Sequence, residues 1–521
     1  TYPTERLTYI LEDSRPALLL TQEPVLDQLP AIAIRTFCLD SSPLDKYSTD
    51  NLNHVVGSNH LAYVIYTSGS TGMPKGVSIA HGGLSNYLHW ASTAYPMAFP
   101  QGSVVQLPVV FDATITCLFT PLIAGHSICL QPALMTAELF DFVNIQQKIS
   151  LLKITPAHID MVCADGSKVE PCAKVALTVI GGEALSAKQA NTWLSRFPET
   201  LIVNEYGPTE TVVGCCIYRA SDVPKRAMLP IGRPIANTQI YILDESINPV
   251  PIGVTGELYI AGDGLARGYL NRPDLTAEKF IPNPFSASAG TRMYKSGDLA
   301  RYLADGNIEC LGRTDGQVKI RGFRIELGEI EIALGALPQV REASVLVRED
   351  PQGDKCLVAY VLPSTPEIQI PLQLLRTALL QKLPEYMVPA HFIQVSHFPL
   401  TLNGKVDRKA LLAFGTPDRG TDYVAPSTIT ENVLAKIWGE ILQLDKIGIQ
   451  DDFFELGGHS LLAVRLITKI HDTFQIMLTP RTVFESPTIE ALGSILEALI
   501  LEEIGKISDE DAISLMNKTG G

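Results

Sequence analysis

The sequence has no continuous apolar run long enough to cross a membrane, and its start lacks a charged segment followed by an apolar one. Its nine cysteines never stand in C-x-x-C spacing, which argues against zinc or a disulfide framework and favours reduced thiols. A net charge of −15 argues against a nucleic-acid-binding protein, which usually carries a basic face. We therefore expect a globular cytoplasmic protein with no membrane segment and no nucleic-acid partner.

The 521 residues are too many for one hydrophobic core, so several domains are expected. Short apolar strands alternate with helical segments up to about residue 310, a pattern typical of a large α/β unit that ends in a β-rich piece. A small α+β segment follows, and then a compact helical segment whose first helix is predicted to start with a capping box of Thr428 and Glu431. The predicted limits are 1–313, 314–414, a linker at 415–425, the helical domain at 426–500 and a tail at 501–521.

The stretch "YTSGSTGMPKG", Tyr66 to Gly76, follows an apolar, β-branched segment that predicts a buried strand. A strand that runs into a loop of glycines and hydroxyls with a lysine near its end indicates a backbone that cradles phosphate. The P-loop pattern of NTPases fails because Pro74, not glycine, precedes Lys75. The loop alone is equally compatible with a flexible connection.

Other motifs follow the loop in a fixed order. They are "FDAT" at Phe111, "NEYGPTE" at Asn204, "GELYIAGDGLARGYL" at Gly256, "YKSGDLARY" at Tyr294, "GRTDGQVKIRGFRIELGEIE" at Gly312 and "NGKVDRKAL" at Asn403. With the loop they resemble the adenylation domain of a nonribosomal peptide synthetase, a member of the adenylate-forming superfamily. "DDFFELGGHSLLAV", from Asp451, resembles the four-helix-type peptidyl carrier domain that follows it. Two early motifs of the family are missing, so we expect an incomplete N-terminal lobe.

The resemblance implies an amino-acid adenylating ligase. Such enzymes join a carboxylate to AMP from ATP with Mg²⁺, release pyrophosphate, and pass the acyl group to the thiol of a covalent 4′-phosphopantetheine. The implied partners are a phosphopantetheinyl transferase and condensation or other synthetase domains upstream and downstream. Two alternatives stay open: an acyl-CoA ligase of the same superfamily, and an inactive scaffold with an adenylation fold.

The resemblance also implies roles for individual residues. The loop is expected to hold the β- and γ-phosphates through its hydroxyls, its glycines and one lysine: Thr67, Ser68, Gly69, Ser70, Thr71, Gly72 and Lys75. The other expected nucleotide contacts are Gly182, Glu183 and Tyr206 at adenine, Thr209 near the α-phosphate, Glu210 on Mg²⁺, Asp298 on the ribose, and Arg313 on ribose or phosphate. Lys405 is expected to touch the substrate carboxylate and the α-phosphate, and Asp315 to be the hinge of the small domain. Ser460 is the expected attachment point of phosphopantetheine.

Ten positions carry over as the amino-acid pocket: Asp112, Ala113, Thr116, Lys153, Val179, Gly181, Glu205, Val213, Gly214 and Lys405. By resemblance Asp112 pairs with the substrate ammonium. The charges of Lys153 and Glu205 are costly in a pocket unless paired or used. They either form a salt bridge that shapes the wall, or read a primary carboxamide, with the lysine donating to oxygen and the glutamate accepting from N–H. The set resembles the asparagine pattern of the family, so L-asparagine is predicted, then glutamine, with aspartate poor.

The tail "GKISDEDAISLMNKTGG" resembles a helix start at Ser508 and Asp511. A frayed end is the default interpretation. The alternative hypothesis is a docking peptide for the next synthetase subunit.

Overall fold

A computed structural model describes residues 2–31, 33–50, 55–131, 148–164, 174–220, 226–349, 355–365, 369–401, 406–414, 423–442, 444–454, 456–458 and 460–506. The chain divides into two compact units, one of residues 4–329 and one of residues 1–3 and 330–521.

The first unit contains the following helices and strands in chain order. They are α1 (Thr4–Ser14), β1 (Leu19–Thr21), β2 (Thr36–Cys38), β3 (Leu61–Thr67), β4 (Lys75–Ala80), α2 (His81–Ala94), β5 (Gln101–Val105), α3 (Ala113–Ile123), β6 (Ser127–Leu130), β7 (Lys148–Ile154), α4 (Pro156–Ala164), β8 (Lys174–Gly181), α5 (Ala187–Arg196), β9 (Leu201–Tyr206), β10 (Cys216–Ala220), β11 (Arg233–Pro234), β12 (Thr238–Leu243), β13 (Gly256–Gly262), β14 (Gly268–Tyr269), α6 (Pro273–Lys279), β15 (Phe280–Pro282), β16 (Arg292–Tyr302), β17 (Ile308–Arg313), β18 (Gln317–Ile320) and β19 (Phe323–Glu326).

A seven-stranded sheet in the order β11-β10-β9-β8-β7-β5-β6 forms the centre of this unit. Strands β5 to β9 pair in parallel, and β10 and β11 close one edge antiparallel. Strands β7 and β8 are buried along almost their whole length, as strands of a parallel sheet covered on both faces must be. Helix α5 begins with a capping box in which Ser186 and Gln189 exchange hydrogen bonds, and it buries Trp193.

The β-rich piece supplies further strands to the same unit. A sheet in the order β12-β13-β16-β15 carries β17 on β16, and β14, β4 and β3 form a three-stranded sheet. The long strand β16 and the hairpin β18–β19 bring the motifs around Asp298 and Arg324 into the unit that holds the glycine-rich loop. The predicted α/β unit with a β-rich end is thus confirmed.

Helix α7 (Leu327–Gly335) leads into the second unit, where β20 (Val340–Glu349), β21 (Lys355–Pro363) and β22 (His391–Gln394) form a sheet. Helices α8 (Leu372–Lys382) and α9 (Arg408–Leu412) complete the small α+β segment. The last helices are α10 (Ile429–Leu442), α11 (Ser460–Phe474), α12 (Pro480–Glu485) and α13 (Ile489–Lys506).

The helical segment forms one apolar cluster that includes Trp438, Phe453 and Phe454. The predicted capping box is present, because the Glu431 N–H donates to Thr428 Oγ1 at 3.1 Å and Glu431 Oε2 accepts from the Thr428 N–H at 2.9 Å. Helix α10 contributes Leu434, Ile437, Trp438, Ile441 and Leu442 to this cluster, and Val433, which is partly buried, packs against it. The four-helix-type fold is confirmed. Residues of the predicted tail from 507 onward lie outside the described part.

Candidate active site

The glycine-rich loop connects β3 to β4. A Cβ added at Gly69 would lie 2.0 Å from the Met73 carbonyl oxygen, so only glycine fits this turn. Ser68 Oγ donates to the Arg324 carbonyl at 2.7 Å, and the Gly69 N–H donates to Glu329 Oε2 at 3.1 Å. The buried hydroxyl of Thr67 has no hydrogen-bond partner among the described residues. An unpaired buried hydroxyl beside a donor-rich loop fits a site for an anionic group.

Lys75 is the first residue of β4 and is buried, with 4% of its side chain exposed. Its Nζ lies 3.7 Å from Glu210 Oε1, 3.9 Å from Glu326 Oε1 and 4.9 Å from the centre of the Tyr269 ring. Burial, and after it the charge of Arg324, lower the pKa of Lys75 to about 8, although Glu210 and Glu326 oppose the shift. The lysine is therefore a charge held in a dry, crowded position and not a solvated surface lysine.

Glu210 lies in the short 3-10 turn Thr209–Thr211 and is fully buried. Arg324 Nη1 donates to its Oε2 at 2.5 Å, and the Tyr269 hydroxyl donates to its Oε1 at 2.7 Å. Burial alone would raise the pKa of Glu210, but Arg324 and Lys75 outweigh burial, and the pKa lies well below its ordinary value. Glu210 is therefore an anion at every physiological pH.

The residues predicted to hold the nucleoside converge. Tyr206 ends β9, Asp298 lies in β16 and Arg313 ends β17. The Tyr206 hydroxyl donates to Asp298 Oδ2 at 2.5 Å, and Arg313 Nη1 donates to Asp298 Oδ1 at 2.6 Å. Each carboxylate oxygen has two lone-pair directions, so Asp298 keeps acceptor capacity after these two bonds.

Asp315, the predicted hinge, is held by Arg313 through a two-pronged contact with both distances at 2.8 Å. Glu183 Oε1 accepts from the Gly322 N–H, and Gly182 has a φ of +88°, which favours glycine. Arg313 and Glu183, two of the predicted site residues, thus contact the segment between β17 and β19.

The predicted amino-acid pocket contains a buried ion pair. Lys153 on β7 contacts Glu205 Oε2 on β9, and the same ammonium donates to Thr116 Oγ1 at 2.8 Å. Glu205 Oε1 accepts from two tyrosines of helix α2 and its C-terminal end, Tyr87 at 3.0 Å and Tyr95 at 2.7 Å. Of the two interpretations given for the charges, the structure shows the salt bridge.

The small residues of the pocket make room for Glu205. A Cβ at Gly214 would lie 2.4 Å from the Glu205 side chain, and one at Gly181 would lie 2.8 Å from its carbonyl oxygen. Val179 and Val213 are buried in the core around this region. Asp112 stands at the N-terminus of α3, next to Ala113, and burial raises its pKa although Thr209 donates a hydrogen bond to it.

Several residues of the site were not assigned a role from the sequence. Lys319, whose ammonium lies 5.4 Å from the centre of the Tyr206 ring, is one of them. It and four others lie inside the quoted motifs: Tyr269, Arg324, Glu326 and Glu329. Tyr87 and Tyr95 had no such signal, because aromatic residues on an amphipathic helix usually indicate core. Lys405 lies outside the described residues. Ser460 is the first residue of the 15-residue helix α11, the position expected for a phosphate-bearing attachment.

Neither a membrane-crossing helix nor a metal-binding cluster is found in the described part of the chain. No helix there is both long and apolar enough to span a bilayer. No group of three or more His, Cys, Asp and Glu side chains converges there.

Comparison with known proteins assigns this architecture. Residues 1–270 match the family "AMP-binding enzyme", residues 329–405 its "C-terminal domain", and residues 432–496 a "Phosphopantetheine attachment site". The chain belongs to the AMP-binding enzyme family and consists of an adenylation domain followed by a carrier domain. Domains of the first kind use ATP, and those of the second carry covalent 4′-phosphopantetheine.

Two curated proteins and one solved structure illustrate the similarity. One subunit of the mycosubtilin synthase of Bacillus subtilis is 44% identical over 96% of this chain and 19% of that protein. Tyrocidine synthase 3 of Brevibacillus parabrevis is 42% identical over 95% of this chain and 8% of that protein. A holo nonribosomal peptide synthetase protein containing adenylation and PCP domains, bound to a vinylsulfonamide inhibitor, is 26% identical, with a TM-score of 0.75 over 95% of this chain and 82% of that one. The chain thus spans a fifth or less of the length of these two curated relatives.

Proposed function

We propose that this chain activates an amino acid as its adenylate and loads it as a thioester on its own carrier domain. The observation that carries the proposal is the convergence in one unit of Lys75, Glu210 and Arg324 with the set of Tyr206, Asp298 and Arg313. The first set is rich in charge and suits a triphosphate with a divalent cation, and the second suits a nucleoside. Ser460 at the start of α11 supports the loading step.

The proposed chemistry has two displacements. A carboxylate oxygen of the amino acid attacks the α-phosphorus of ATP, and pyrophosphate leaves. A thiol sulfur then attacks the acyl carbon, and AMP leaves as the thioester forms. When bound at Ser460, 4′-phosphopantetheine supplies that thiol.

The residues of the chain have distinct parts in this scheme. Lys75 and the loop donate to the β- and γ-phosphates, and Glu210, kept ionised by its neighbours, holds Mg²⁺. Asp298 accepts from the ribose, with Tyr206 beside the adenine. Lys405 is the proposed partner of the substrate carboxylate and the α-phosphate, and Asp315 the proposed hinge of the small domain.

The proposed substrate is L-asparagine. The Lys153 ammonium has three N–H donors, of which Glu205 and Thr116 take two. Glu205 Oε1 receives both tyrosines, whereas Oε2 meets Lys153. Lys153 thus keeps one N–H donor, next to Glu205 Oε2 as the remaining acceptor. This pair is complementary to a primary carboxamide, whose oxygen accepts a hydrogen bond and whose NH₂ donates one. The salt bridge and the amide-reading role are therefore compatible.

The competing amino acids fit this pair less well. Aspartate would place a second carboxylate beside Glu205, and like charges in a dry pocket repel strongly. Glutamine carries the same head group but needs more depth. Asp112 would pair with the substrate ammonium in each case.

ATP–pyrophosphate exchange over a panel of amino acids tests activity and specificity together. We expect asparagine first, glutamine second and aspartate poor. A hydrophobic or cationic amino acid ranked first would contradict the assignment. Glu205→His, which removes the anion, should shift the preference towards aspartate, and an unchanged ranking would count against Glu205 as the amide reader.

The alternatives predict other results. An acyl-CoA ligase would transfer its acyl group to free coenzyme A and would not need residues 426–500, and an inactive scaffold would show no exchange at all.

We propose the domain limits 1–313, 314–414 and 426–500 with the linker 415–425 between the last two, and a phosphopantetheinyl transferase and neighbouring synthetase domains as partners. Intact-mass measurement should show one phosphopantetheine increment that Ser460→Ala removes, and retention of the increment would contradict the site. Deleting residues 505–521 should weaken transfer to a following subunit only if the tail is a docking peptide.

A further inference from the structure

One face of helix α8 in the second unit contacts the helical carrier domain. Gln373, Arg376 and Leu380 lie three and four residues apart and therefore point to the same side of the helix. Gln373 Nε2 donates to the Glu485 carbonyl oxygen at 3.4 Å, and Leu380 packs against the apolar cluster of the carrier domain. The contact is thus built from successive turns of one helix.

Arg376 is the centre of this face. Its side chain is 2% exposed, which is unusual for a charged group unless a partner is present. Nη1 contacts Asp452 Oδ2 at 2.8 Å, and the guanidinium lies over the Phe454 ring at 4.4 Å. On the other side, Nη2 donates to the Ala390 carbonyl at 3.3 Å and the guanidinium lies 5.9 Å from the Phe392 ring. The arginine therefore touches both the small subdomain and the carrier domain.

The carrier side of the contact is rigidly built. Asp452 Oδ1 accepts from the Phe454 N–H at 2.8 Å, so the carboxylate that meets Arg376 is fixed by its own turn. The Phe454 ring stacks on Phe484 with centroids 4.6 Å apart, inside the carrier core. Both Asp452 and Phe454 belong to the segment that runs directly to Ser460.

We propose that this face of α8 is a docking surface for the carrier domain of the same chain, with Arg376 as its anchor. A guanidinium buried between two domains loses its solvation, so the arrangement is stable only while the carboxylate and the aromatic ring from the carrier domain are in place. The small subdomain then sets the orientation of the carrier segment that leads to Ser460. This inference does not depend on which amino acid is activated.

Hydrogen–deuterium exchange on the full chain in its phosphopantetheinylated form tests the surface. Arg376→Met keeps the packing on Phe454 and removes the charge, and Asp452→Asn keeps the bond to the Phe454 N–H and removes the other charge. In both variants we expect amide exchange about tenfold faster, in residues 372–382 and in the carrier segment 452–458, because loss of the anchor opens both sides. Thr377→Ala, at an exposed position of the same helix, is the matched control and should leave both segments unchanged.

The test depends on whether a substitution in one domain changes the amide exchange rate in the other domain. The proposal would be overturned if amide exchange stayed at the wild-type rate both in the carrier segment of the Arg376→Met variant and in α8 of the Asp452→Asn variant. Arg376 would then only support its own subdomain. Retained ATP–pyrophosphate exchange in each variant verifies that the adenylation domain is folded. If Arg376→Met fails to fold, the effect of Asp452→Asn on residues 372–382 decides the question alone.

Discussion

Replacing Glu205 with glutamine tests how the buried pair determines specificity. The change keeps the shape of the side chain but removes its charge. Because Tyr87 and Tyr95 donate to Oε1, they hold the oxygen of the new amide in that place, and the NH₂ takes the position of Oε2 facing Lys153. The pocket then presents donors from both side chains. The asparagine NH₂ loses its acceptor, whereas an aspartate carboxylate gains a donor.

The size of the effect follows from the hydrogen bonds that change. A bond to a charged group contributes about 1.5–3 kcal/mol, so the ratio of kcat/KM for asparagine over aspartate should fall roughly 10- to 150-fold. Stability should fall as well, since removing one partner of a buried ion pair costs about 3–5 kcal/mol and Lys153 is only 3% exposed.

ATP–pyrophosphate exchange with each amino acid and thermal unfolding measure the two effects separately. Glu199→Gln is the matched control: Glu199 pairs with Lys174 at 2.9 Å, but its side chain is 73% exposed, so about 0–1 kcal/mol is expected. An unchanged ratio in a folded Glu205→Gln variant would refute the reasoning that Glu205 reads the substrate amide.

Three further results are expected. The pKa of Lys75 is about 8 in the free protein, and bound phosphates should raise it because they attract the protonated ammonium. The KM for ATP should therefore be lowest below pH 8 and increase as the pH rises above 8, and Lys75→Met should remove this pH dependence. Asp298→Asn removes the negative charge that pairs with Arg313 and leaves one acceptor oxygen in place of two, so the KM for ATP should rise about 10- to 100-fold without a change in amino-acid ranking. Glu431→Ala removes one half of the capping box of α10 and should destabilise the carrier domain by about 1 kcal/mol in denaturant unfolding, with adenylation unchanged.

The sequence predicted those parts of the fold that depend on local pattern. The apolar, β-branched segment before the glycine-rich loop predicted the strand β3, and the spacing of Thr428 and Glu431 predicted the start of α10. The expected burial of β3 was wrong: it lies at the edge of its sheet and is only half-buried. The composition also predicted the glycine-rich loop between β3 and β4, where Gly69 approaches the Met73 backbone too closely for any other residue. That this loop binds phosphate stays a prediction.

The partners of the charged residues could not be predicted in this way. Glu210 is paired with Arg324, which lies 114 residues away, and with Tyr269, which lies 59 away. Which donors meet a given carboxylate depends on how the sheets are assembled, and spacing along the chain does not encode this. The same holds for Tyr87 and Tyr95: their helix pattern indicates burial, and only the fold shows that their hydroxyls reach Glu205.

The glycine-rich loop has a competitor for its proposed ligand. Glu329, 1% exposed, contacts Arg6 at 2.6 Å through Oε1 and accepts from the Gly69 N–H through Oε2. A phosphate that uses this N–H must displace the carboxylate. In Glu329→Gln the bond to Gly69 becomes a neutral one, weaker by about 1 kcal/mol, so the KM for ATP should fall roughly fivefold.

The Glu329→Gln variant should be less stable than the wild type even though it binds ATP more tightly. Arg6, itself 5% exposed, loses its ion pair with Glu329, so the free energy of unfolding should drop by about 3–5 kcal/mol. Glu331→Gln is the control, because Glu331 on the same helix also accepts a backbone N–H, from Val345 at 2.8 Å. That variant should leave the KM for ATP unchanged. Tighter ATP binding in a less stable protein is a combination that general damage to the fold does not produce, and a KM for ATP that rises or stays constant in Glu329→Gln would show that the carboxylate does not compete with phosphate.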